Sequence, residues 1–319
     1  MAILLLMLRF DTGKDQKMNP ATLIVTIILI LLAFLIIAGR LLSDLLLRIK
    51  RQSYEEAREW QEERIDIGWY DIIDKQTYKV NSFDGYALNV QLLINPDPTE
   101  KYVIISHGYT DNLIGSLKYA RIYLDLGFNV VIYDLRGHGM NEPTYCTYTV
   151  RERKDLRELI KDTRERHPDM EALGLHGESL GAATSLAVLN YQPEIDFVVS
   201  DCAFSDIKSV LEGGLRSAHL PVSILKLAGF FIKLRFQVSF NGMRPIDCLK
   251  GNRKPILFIH GQDDDLIPPY HSEIMVAETD GYKDLRLIKG AGHAESVLKE
   301  PEEYAGYVKE FLDVVYNDK

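Results

Sequence analysis

Short apolar segments that alternate with helix-like segments constrain the fold of this chain more than any other feature. Downstream of residue 100, the apolar segments are "KYVIISHG", "NVVIYD", "EALGLHG", "DFVVSDC", "PILFIHG" and "LRLIK". Nearly continuous apolar runs are typical of strands buried on both faces. Their alternation with helices predicts a mostly parallel sheet that is covered by helices on both sides. Upstream, "TYKVNSFDGYALNVQLLIN" predicts an antiparallel hairpin around a turn at Asp84–Gly85. We therefore predict one α/β domain over residues 74–319.

The N-terminal region contains a run of nineteen residues without a charge, from Ala21 to Gly39. At a rise of ~1.5 Å per residue, a helix of this length spans close to the ~30 Å hydrocarbon core of a bilayer. The run continues into "RLLSDLLLRIKRQ", which offers no convincing cleavage site. We predict an uncleaved transmembrane anchor over residues 21–39 and a single-pass protein of the cell membrane. A signal peptide and a buried helix of a soluble protein are the alternatives.

The regions that flank this anchor leave its orientation open. Residues 1–20 are a tail, and residues 40–73 are charged and helix-prone, which predicts a juxtamembrane helical stalk with a solvated face. The basic residues are too evenly divided for the positive-inside rule to decide: three precede the run (Arg9, Lys14, Lys17) and four follow it (Arg40, Arg48, Lys50, Arg51). A start at Met18 would leave no basic side chain before the run and would favour a cytoplasmic domain.

Composition excludes several classes of function. The net charge of −9 argues against a nucleic-acid-binding protein, which normally carries a basic stripe. Neither GxGxxG nor GxxxxGK[ST] follows a strand, so nucleotide binding is disfavoured. Three scattered cysteines, Cys146, Cys202 and Cys248, fit neither a disulfide framework nor a zinc site. We predict no cofactor and no metal; the oligomeric state is left open.

The polar motifs of this chain follow the predicted strands, where function collects in such sheets. One of them, "HGESLGAAT", places Ser179 between Gly177 and Gly181 at a strand–turn–helix junction. This is the context of the GxSxG nucleophile elbow, in which a strained backbone lifts the serine Oγ above the sheet. The alternative is a structural role, in which Ser179 only caps the helix that follows.

A serine hydroxyl needs a base to accept its proton and an acid to orient that base. "KGAGHAES" supplies His293 after the last strand, in a glycine-flanked loop. "HGQDDDLIPP" supplies an acid after the preceding strand, for which we favour Asp264; Asp201, at the end of an earlier strand, is the alternative. The three adjacent aspartates of this motif do not suit a metal, because their side chains cannot converge on one ion without other ligands.

An oxyanion hole requires two preorganised N–H donors. We expect one at the backbone of Leu180, at the positive end of the helix that follows the serine. We expect the other at Tyr109, in the loop after "VIISHG".

Six motifs in this order resemble the α/β-hydrolase superfamily: "HGYTDN", "YDLRGHGMNE", "HGESLGAAT", "SDCAFSD", "HGQDDDLIP" and "GAGHAES". The chain is most similar to membrane-anchored bacterial members labelled serine aminopeptidase-like or Bem46-like. The resemblance implies that fold, and a catalytic triad of Ser179, Asp264 and His293 without a cofactor. It specifies no substrate, because esterases, lipases, thioesterases and peptidases share these motifs.

About fifty residues separate "DFVVSDC" from "PILFIHG", which is far more than a usual connection. We predict a helical lid over residues 205–250, whose apolar side chains line an acyl pocket, face the bilayer or only pack on the sheet. The predicted function is a membrane-anchored serine hydrolase of carboxylic esters or thioesters, with a small acyl ester or lipid-like substrate. A serine peptidase and a non-catalytic binding protein are the alternatives. Glu178, inside the elbow, has no assigned role.

Overall fold

A computed structural model describes residues 19–317. Residues 1–18, which hold most of the predicted tail and the alternative start Met18, lie outside this range. One eight-stranded sheet forms the centre of the molecule, with the strand order β1-β2-β4-β3-β5-β6-β7-β8. The strands are β1 (Lys75–Asn81), β2 (Ala87–Leu93), β3 (Lys101–Ser106), β4 (Asn129–Tyr133), β5 (Ala172–Glu178), β6 (Phe197–Asp201), β7 (Ile256–Gly261) and β8 (Lys283–Ile288).

Helices precede the sheet and connect its strands. The α-helices are α1 (Pro20–Leu47), α2 (Tyr54–Glu62), α3 (Trp69–Ile72), α4 (Leu117–Asp125), α5 (Glu152–Arg166), α6 (Leu180–Ala187), α7 (Ile207–Ser217), α8 (Ile224–Phe236), α9 (Tyr270–Glu278), α10 (Ser296–Lys299) and α11 (Pro301–Asn317). The 3₁₀ segments are Leu113–Ser116, Val188–Tyr191, Phe240–Gly242 and Pro245–Cys248.

The sheet has the mixed topology that the sequence predicts. Strand β2 pairs antiparallel with both β1 and β4, and all other neighbours pair parallel. Every residue of β4, β5, β6 and β7 is buried, as expected for strands covered on both faces. A hydrophobic cluster lies on each side of the sheet. The predicted α/β-hydrolase fold is therefore confirmed, and it gathers the carboxyl ends of the parallel strands at one edge.

Helix α1 is longer than the predicted anchor and ends inside the domain. Asn19 caps its start by accepting a hydrogen bond from the N–H of Ala21. Its most apolar 18-residue window has a mean hydropathy of 3.2, and none of that window is buried. By length and composition it is the one described helix that could cross a membrane, and a signal sequence would pass the same test. Its last turns are different, because Gly39, Ser43 and Leu47 are buried.

The sequence predicts a solvated stalk between the predicted anchor and the sheet, but in the structure this segment packs on the domain. Helix α2 begins with a capping box formed by Ser53 and Glu56. It buries Ala57, and Ile67 and Tyr70 follow it into the cluster on one face of the sheet. The charged side chains of α2 lie on its outer face. An amphipathic pattern of this kind suits a docked surface helix as well as a free stalk.

Candidate active site

Ser179 lies at the sharp turn between β5 and α6, with φ 51° and ψ −111°. A positive φ at a residue with a side chain is strained and persists only where the surroundings enforce it. Part of that enforcement is visible, since the N–H of Ser179 donates to the carbonyl of Asp201 on the neighbouring strand at 2.8 Å. The side chain of Ser179 does not cap α6. The hydroxyl is therefore available for chemistry, and the helix-cap alternative is wrong.

The two glycines of the elbow are required by close backbone approaches. A Cβ on Gly181 would lie 2.0 Å from the carbonyl oxygen of Ser106 on β3. A Cβ on Gly177 would lie 2.4 Å from the backbone nitrogen of Ala182. Both obstacles are backbone atoms that cannot rotate away, so only glycine fits at these positions.

His293 connects Ser179 to Asp264 through its two ring nitrogens. Its Nε2 lies 2.9 Å from the Oγ of Ser179, and its Nδ1 lies 2.7 Å from Oδ2 of Asp264. The structure thus brings together the three side chains that the sequence predicts as the triad. They come from three different strand ends: the ends of β5, β7 and β8.

Asp264 is buried and held as a carboxylate. Its Oδ1 accepts the N–H groups of Leu266 at 3.1 Å and Ile267 at 2.8 Å, and Nε2 of His260 lies 3.3 Å from its Oδ2. Burial by itself would raise the pKa of Asp264. The hydrogen bonds from His260 and His293 and the charge of His293 outweigh it and hold this pKa well below its ordinary value.

The pKa of His293 is shifted in the opposite direction, upward. Burial disfavours its charged form, but the hydrogen bond to Asp264 stabilises that form. The charges of Asp264, Glu178 and Asp201 add to this effect, so the pKa of His293 is raised above its ordinary value. A raised pKa makes the ring a better proton acceptor from a neighbouring hydroxyl.

Asp201, the alternative acid, occupies a different position. Its Oδ2 accepts the hydroxyl of Tyr119 at 3.0 Å. Burial, reinforced by the charge of Glu178, raises the pKa of Asp201 to about 6. Within residues 19–317, the carboxylate that hydrogen-bonds to His293 is that of Asp264 and not that of Asp201.

The two predicted oxyanion donors both lie at the site. Leu180 is the first residue of α6, and Tyr109 lines the same pocket as Ser179. Among the described residues, neither N–H has a hydrogen-bond acceptor. Nearby, a Cβ built on Gly108 would lie 4.0 Å from the Cβ of Ser179, so the loop after β3 passes close to the elbow.

Ser179 and His293 open into a pocket of about 530 Å³. Its walls include residues that no sequence motif indicates. Gln52, Trp60 and Arg64 come from the predicted stalk, and Lys118 comes from α4. None of the lining residues in the described part of the chain comes from the predicted lid, residues 205–250. The missed residues lie far from the motifs in sequence, and only the packing of α2 brings them near Ser179.

A buried network surrounds Glu178, the residue before the nucleophile position. Its carboxylate forms an ion pair with the ammonium of Lys118 and accepts the hydroxyl of Tyr119 at 2.6 Å. The same hydroxyl oxygen lies 3.0 Å from Oδ2 of Asp201, so one proton is shared between the carboxylates at the ends of β5 and β6. No local pattern in the sequence reveals this network, because Glu178 lies about sixty positions from Tyr119 and Asp201 about eighty.

Cys202, Asp264 and His293 place their potential ligand atoms within 4.8 Å of one another. A metal would need the thiolate of Cys202, but burial raises the pKa of this thiol well above its ordinary value. It would also have to displace the hydrogen bond between Asp264 and His293. These groups suit proton transfer better than metal binding.

The chain is similar to known hydrolases over most of its length. The family described as "Serine aminopeptidase, S33" matches residues 97–239. Protein YqkD of Bacillus subtilis, whose name gives no function, is 32% identical over 289 residues, 89% of this chain and 94% of its own length. The human α/β-hydrolase domain-containing protein 17C is 22% identical over 81% of this chain and 70% of its own.

Solved structures show the same fold. An esterase of Pyrococcus furiosus superposes with a TM-score of 0.64 at 23% identity, covering 79% of this chain and 96% of its own. An esterase of Exiguobacterium antarcticum gives a TM-score of 0.55 at 18% identity, and the match covers 75% of this chain and 100% of the esterase. With the sheet order and the strand-end motifs described above, these similarities identify the chain as a member of the α/β-hydrolase superfamily.

Proposed function

We propose that this protein is a membrane-anchored serine hydrolase that cleaves carboxylic esters or thioesters. The observation that carries the proposal is the chain of hydrogen bonds from Ser179 Oγ through His293 to Asp264, at 2.9 Å and 2.7 Å. Such a chain activates a hydroxyl that is otherwise a poor nucleophile. The strained backbone of Ser179 supports the same role, because nucleophile elbows have this geometry.

The reaction begins when Oγ of Ser179 attacks the carbonyl carbon of the substrate. Nε2 of His293 takes the hydroxyl proton, and Asp264 stabilises the resulting imidazolium through Nδ1–H. The N–H groups of Leu180 and Tyr109 donate hydrogen bonds to the substrate oxygen, on which negative charge develops. The intermediate collapses as the bond to the leaving alcohol or thiol breaks, and His293 returns its proton to that group. Water then attacks the acyl-enzyme by the same steps and releases the acid.

Two features support an ester or thioester as the substrate. The structural neighbours named above include esterases. The pocket also has apolar walls, formed in part by Trp60, Leu266 and Leu298, which suit the acyl part of an ester. Helix α1 supports the membrane part of the proposal, because its apolar window is long enough to span a bilayer.

A serine peptidase is the second candidate. The matching family is described as a serine aminopeptidase. The pocket is lined by the carboxylates of Asp111, Glu178 and Glu295, which would attract a substrate amine. Lys118 neutralises Glu178, which weakens that attraction and leaves the esterase as the better-supported candidate.

Labelling with a fluorophosphonate probe tests the nucleophile. We expect the wild type to be labelled and Ser179→Ala to be unlabelled, with hydrolysis of p-nitrophenyl esters reduced on the order of 10⁴-fold or more. Ser185→Ala, on the same helix α6, is the matched control. Its hydroxyl is buried without a partner among the described residues, so this variant should label like the wild type.

Three outcomes separate the alternatives. Equal labelling of wild type and Ser179→Ala would show that Ser179 is not the nucleophile. Labelling with turnover of peptides but not of esters would favour the peptidase. No labelling of the wild type, and no turnover of either substrate, would favour a binding protein on the same fold.

A further inference from the structure

Helix α1 enters the catalytic domain without a break. It is one helix from Pro20 to Leu47, and its buried residues Gly39, Ser43 and Leu47 follow each other at intervals of four. Leu47 is fully buried in the cluster on one face of the sheet. A continuous helix that is fixed at one end in the core cannot swing freely, so the direction of the anchor sets the orientation of the domain.

Helix α8 packs on α1 at the point where the uncharged run ends. The ring of Phe231 lies against Gly39, where a Cβ would come within 2.1 Å of it. One turn further along, Arg235 forms an ion pair with Asp44 at 2.8 Å and donates to the carbonyl of Arg40 at 3.1 Å. These contacts fix α8 beside residues 39–44.

This contact sets the level of α8 relative to a membrane. The run from Ala21 to Gly39 has about the length of the ~30 Å hydrocarbon core, so Gly39 lies at its edge when the run spans a bilayer. Because Phe231 touches Gly39, the part of α8 around Phe231 must then lie at the boundary between hydrocarbon and head groups.

The outer surface around this contact is apolar and basic. On α8, Phe230 and Leu234 are 62% and 66% exposed. On α1, Leu41 and Leu45 are 64% and 74% exposed, one helical turn apart. Lys226 and Lys233 are exposed on α8 beside these apolar residues. Large apolar side chains flanked by lysines on a helix are typical of elements that lie in a membrane interface.

We propose that Leu41, Leu45, Phe230 and Leu234 form a membrane-facing surface that lies in the interface of an anionic phospholipid bilayer. Lys226 and Lys233 contact the negatively charged head groups. The proposal rests on the membrane anchoring in the proposed function but not on its hydrolase chemistry. Helix α8, which lies in the long connection between β6 and β7, then provides a second point of membrane contact beside the anchor.

Cysteines labelled with the environment-sensitive dye NBD test this surface in the full chain. The protein is reconstituted into vesicles of phosphatidylcholine with phosphatidylglycerol. Phe230→Cys and Leu234→Cys should give blue-shifted emission that is quenched by doxyl-labelled lipids. Tyr282→Cys is the matched control: Tyr282 is 45% exposed and directly precedes β8, at the end of the sheet away from the site. Its label should emit as in water. The native cysteines are buried, so the labelled wild type gives the background.

A label at Leu32→Cys, within the anchor, tests whether α1 is in the bilayer separately from the membrane-facing surface. If it is quenched while the labels at 230 and 234 behave like that at 282, the membrane-facing surface is wrong although the anchor is in the bilayer. If the label at 32 also emits as in water, anchoring fails and the surface proposal fails with it. Ester hydrolysis, measured on the same vesicles, reports separately on the proposed reaction.

The lipid charge tests the role of the lysines. The blue shift at position 230 should be larger in vesicles with phosphatidylglycerol than in phosphatidylcholine alone. Lys226→Gln/Lys233→Gln should abolish this difference. Equal shifts in both lipids would overturn the preference for anionic head groups.

Discussion

The ammonium of Lys118 and the carboxylate of Glu178 form an ion pair that is buried immediately beside Ser179. The side chains are only 3% and 7% exposed, and the hydroxyl of Tyr119 donates to the same carboxylate. Glu178 fills the variable position of the elbow motif, where the sequence alone assigned it no role. In the structure it balances the buried charge of Lys118, and both residues line the pocket.

Removing one partner of this pair should cost more stability than removing both. Lys118→Met leaves the charge of Glu178 buried without a counterion, and we expect a loss of about 3–5 kcal/mol in the free energy of unfolding. Lys118→Met/Glu178→Gln should recover part of this loss. Urea unfolding followed by circular dichroism measures these two variants and Glu178→Gln, with Lys161→Met as control because that side chain is 68% exposed. Losses in the double variant equal to the sum of the single losses would contradict a coupled pair.

Glu178 should also influence the pH dependence of the reaction. His293 must be neutral to accept a proton, so kcat/KM should rise with pH through the pKa of His293. This pKa is raised, so the midpoint should lie above ~6.5, the ordinary value for histidine. Glu178→Gln removes a negative charge that stabilises the imidazolium, so the midpoint should move to lower pH. A midpoint that stays in place would show that Glu178 does not act on His293.

The strand ends of this fold could be predicted from sequence, whereas the walls of the pocket could not. Ser179, Asp264 and His293 each follow an apolar strand in a recognisable motif, and the carboxyl ends of parallel strands meet at one edge. Lys118 and Trp60 carry no such signal. Their positions depend on how helices α4 and α2 pack, which is set by contacts between residues distant in sequence.

Asp264, and not the alternative Asp201, should be the acid that orients His293. Asp264→Asn keeps the size of the side chain but favours the wrong tautomer of His293, and we expect kcat to fall on the order of 10⁴-fold. Asp201→Asn can still accept the hydroxyl of Tyr119 and leaves the hydrogen bond between His293 and Asp264 intact, so its effect should be far smaller. Steady-state hydrolysis of short-chain p-nitrophenyl esters compares the two. Loss of activity in Asp201→Asn alone would reverse the assignment.

The glycines of the elbow should not tolerate a methyl group. Gly181→Ala places its Cβ against the carbonyl of Ser106, so the strand or the helix must shift, and both fluorophosphonate labelling and thermal stability should fall. Gly213→Ala is the matched control in helix α7, since nothing lies within 4 Å of its Cβ position. This change should stabilise the protein by up to about 1 kcal/mol, because alanine favours a helix. If Gly181→Ala labels and melts like the wild type, the close approach to Ser106 does not limit this position.

Trp60 should determine how well the pocket binds its substrate, although it lies in a segment predicted as a stalk. Its ring lines the pocket, and the guanidinium of Arg64 stacks on it at 4.1 Å. Trp60→Ala removes an apolar part of the pocket wall and leaves Ser179 and His293 unchanged. The KM for p-nitrophenyl esters should therefore rise, while kcat changes little. Trp69→Ala is the control, because Trp69 packs against the hydrophobic cluster on one face of the sheet and is not among the described residues that line the pocket, so this change should lower stability without changing KM. An unchanged KM in Trp60→Ala would show that substrate binds elsewhere in the pocket, away from α2.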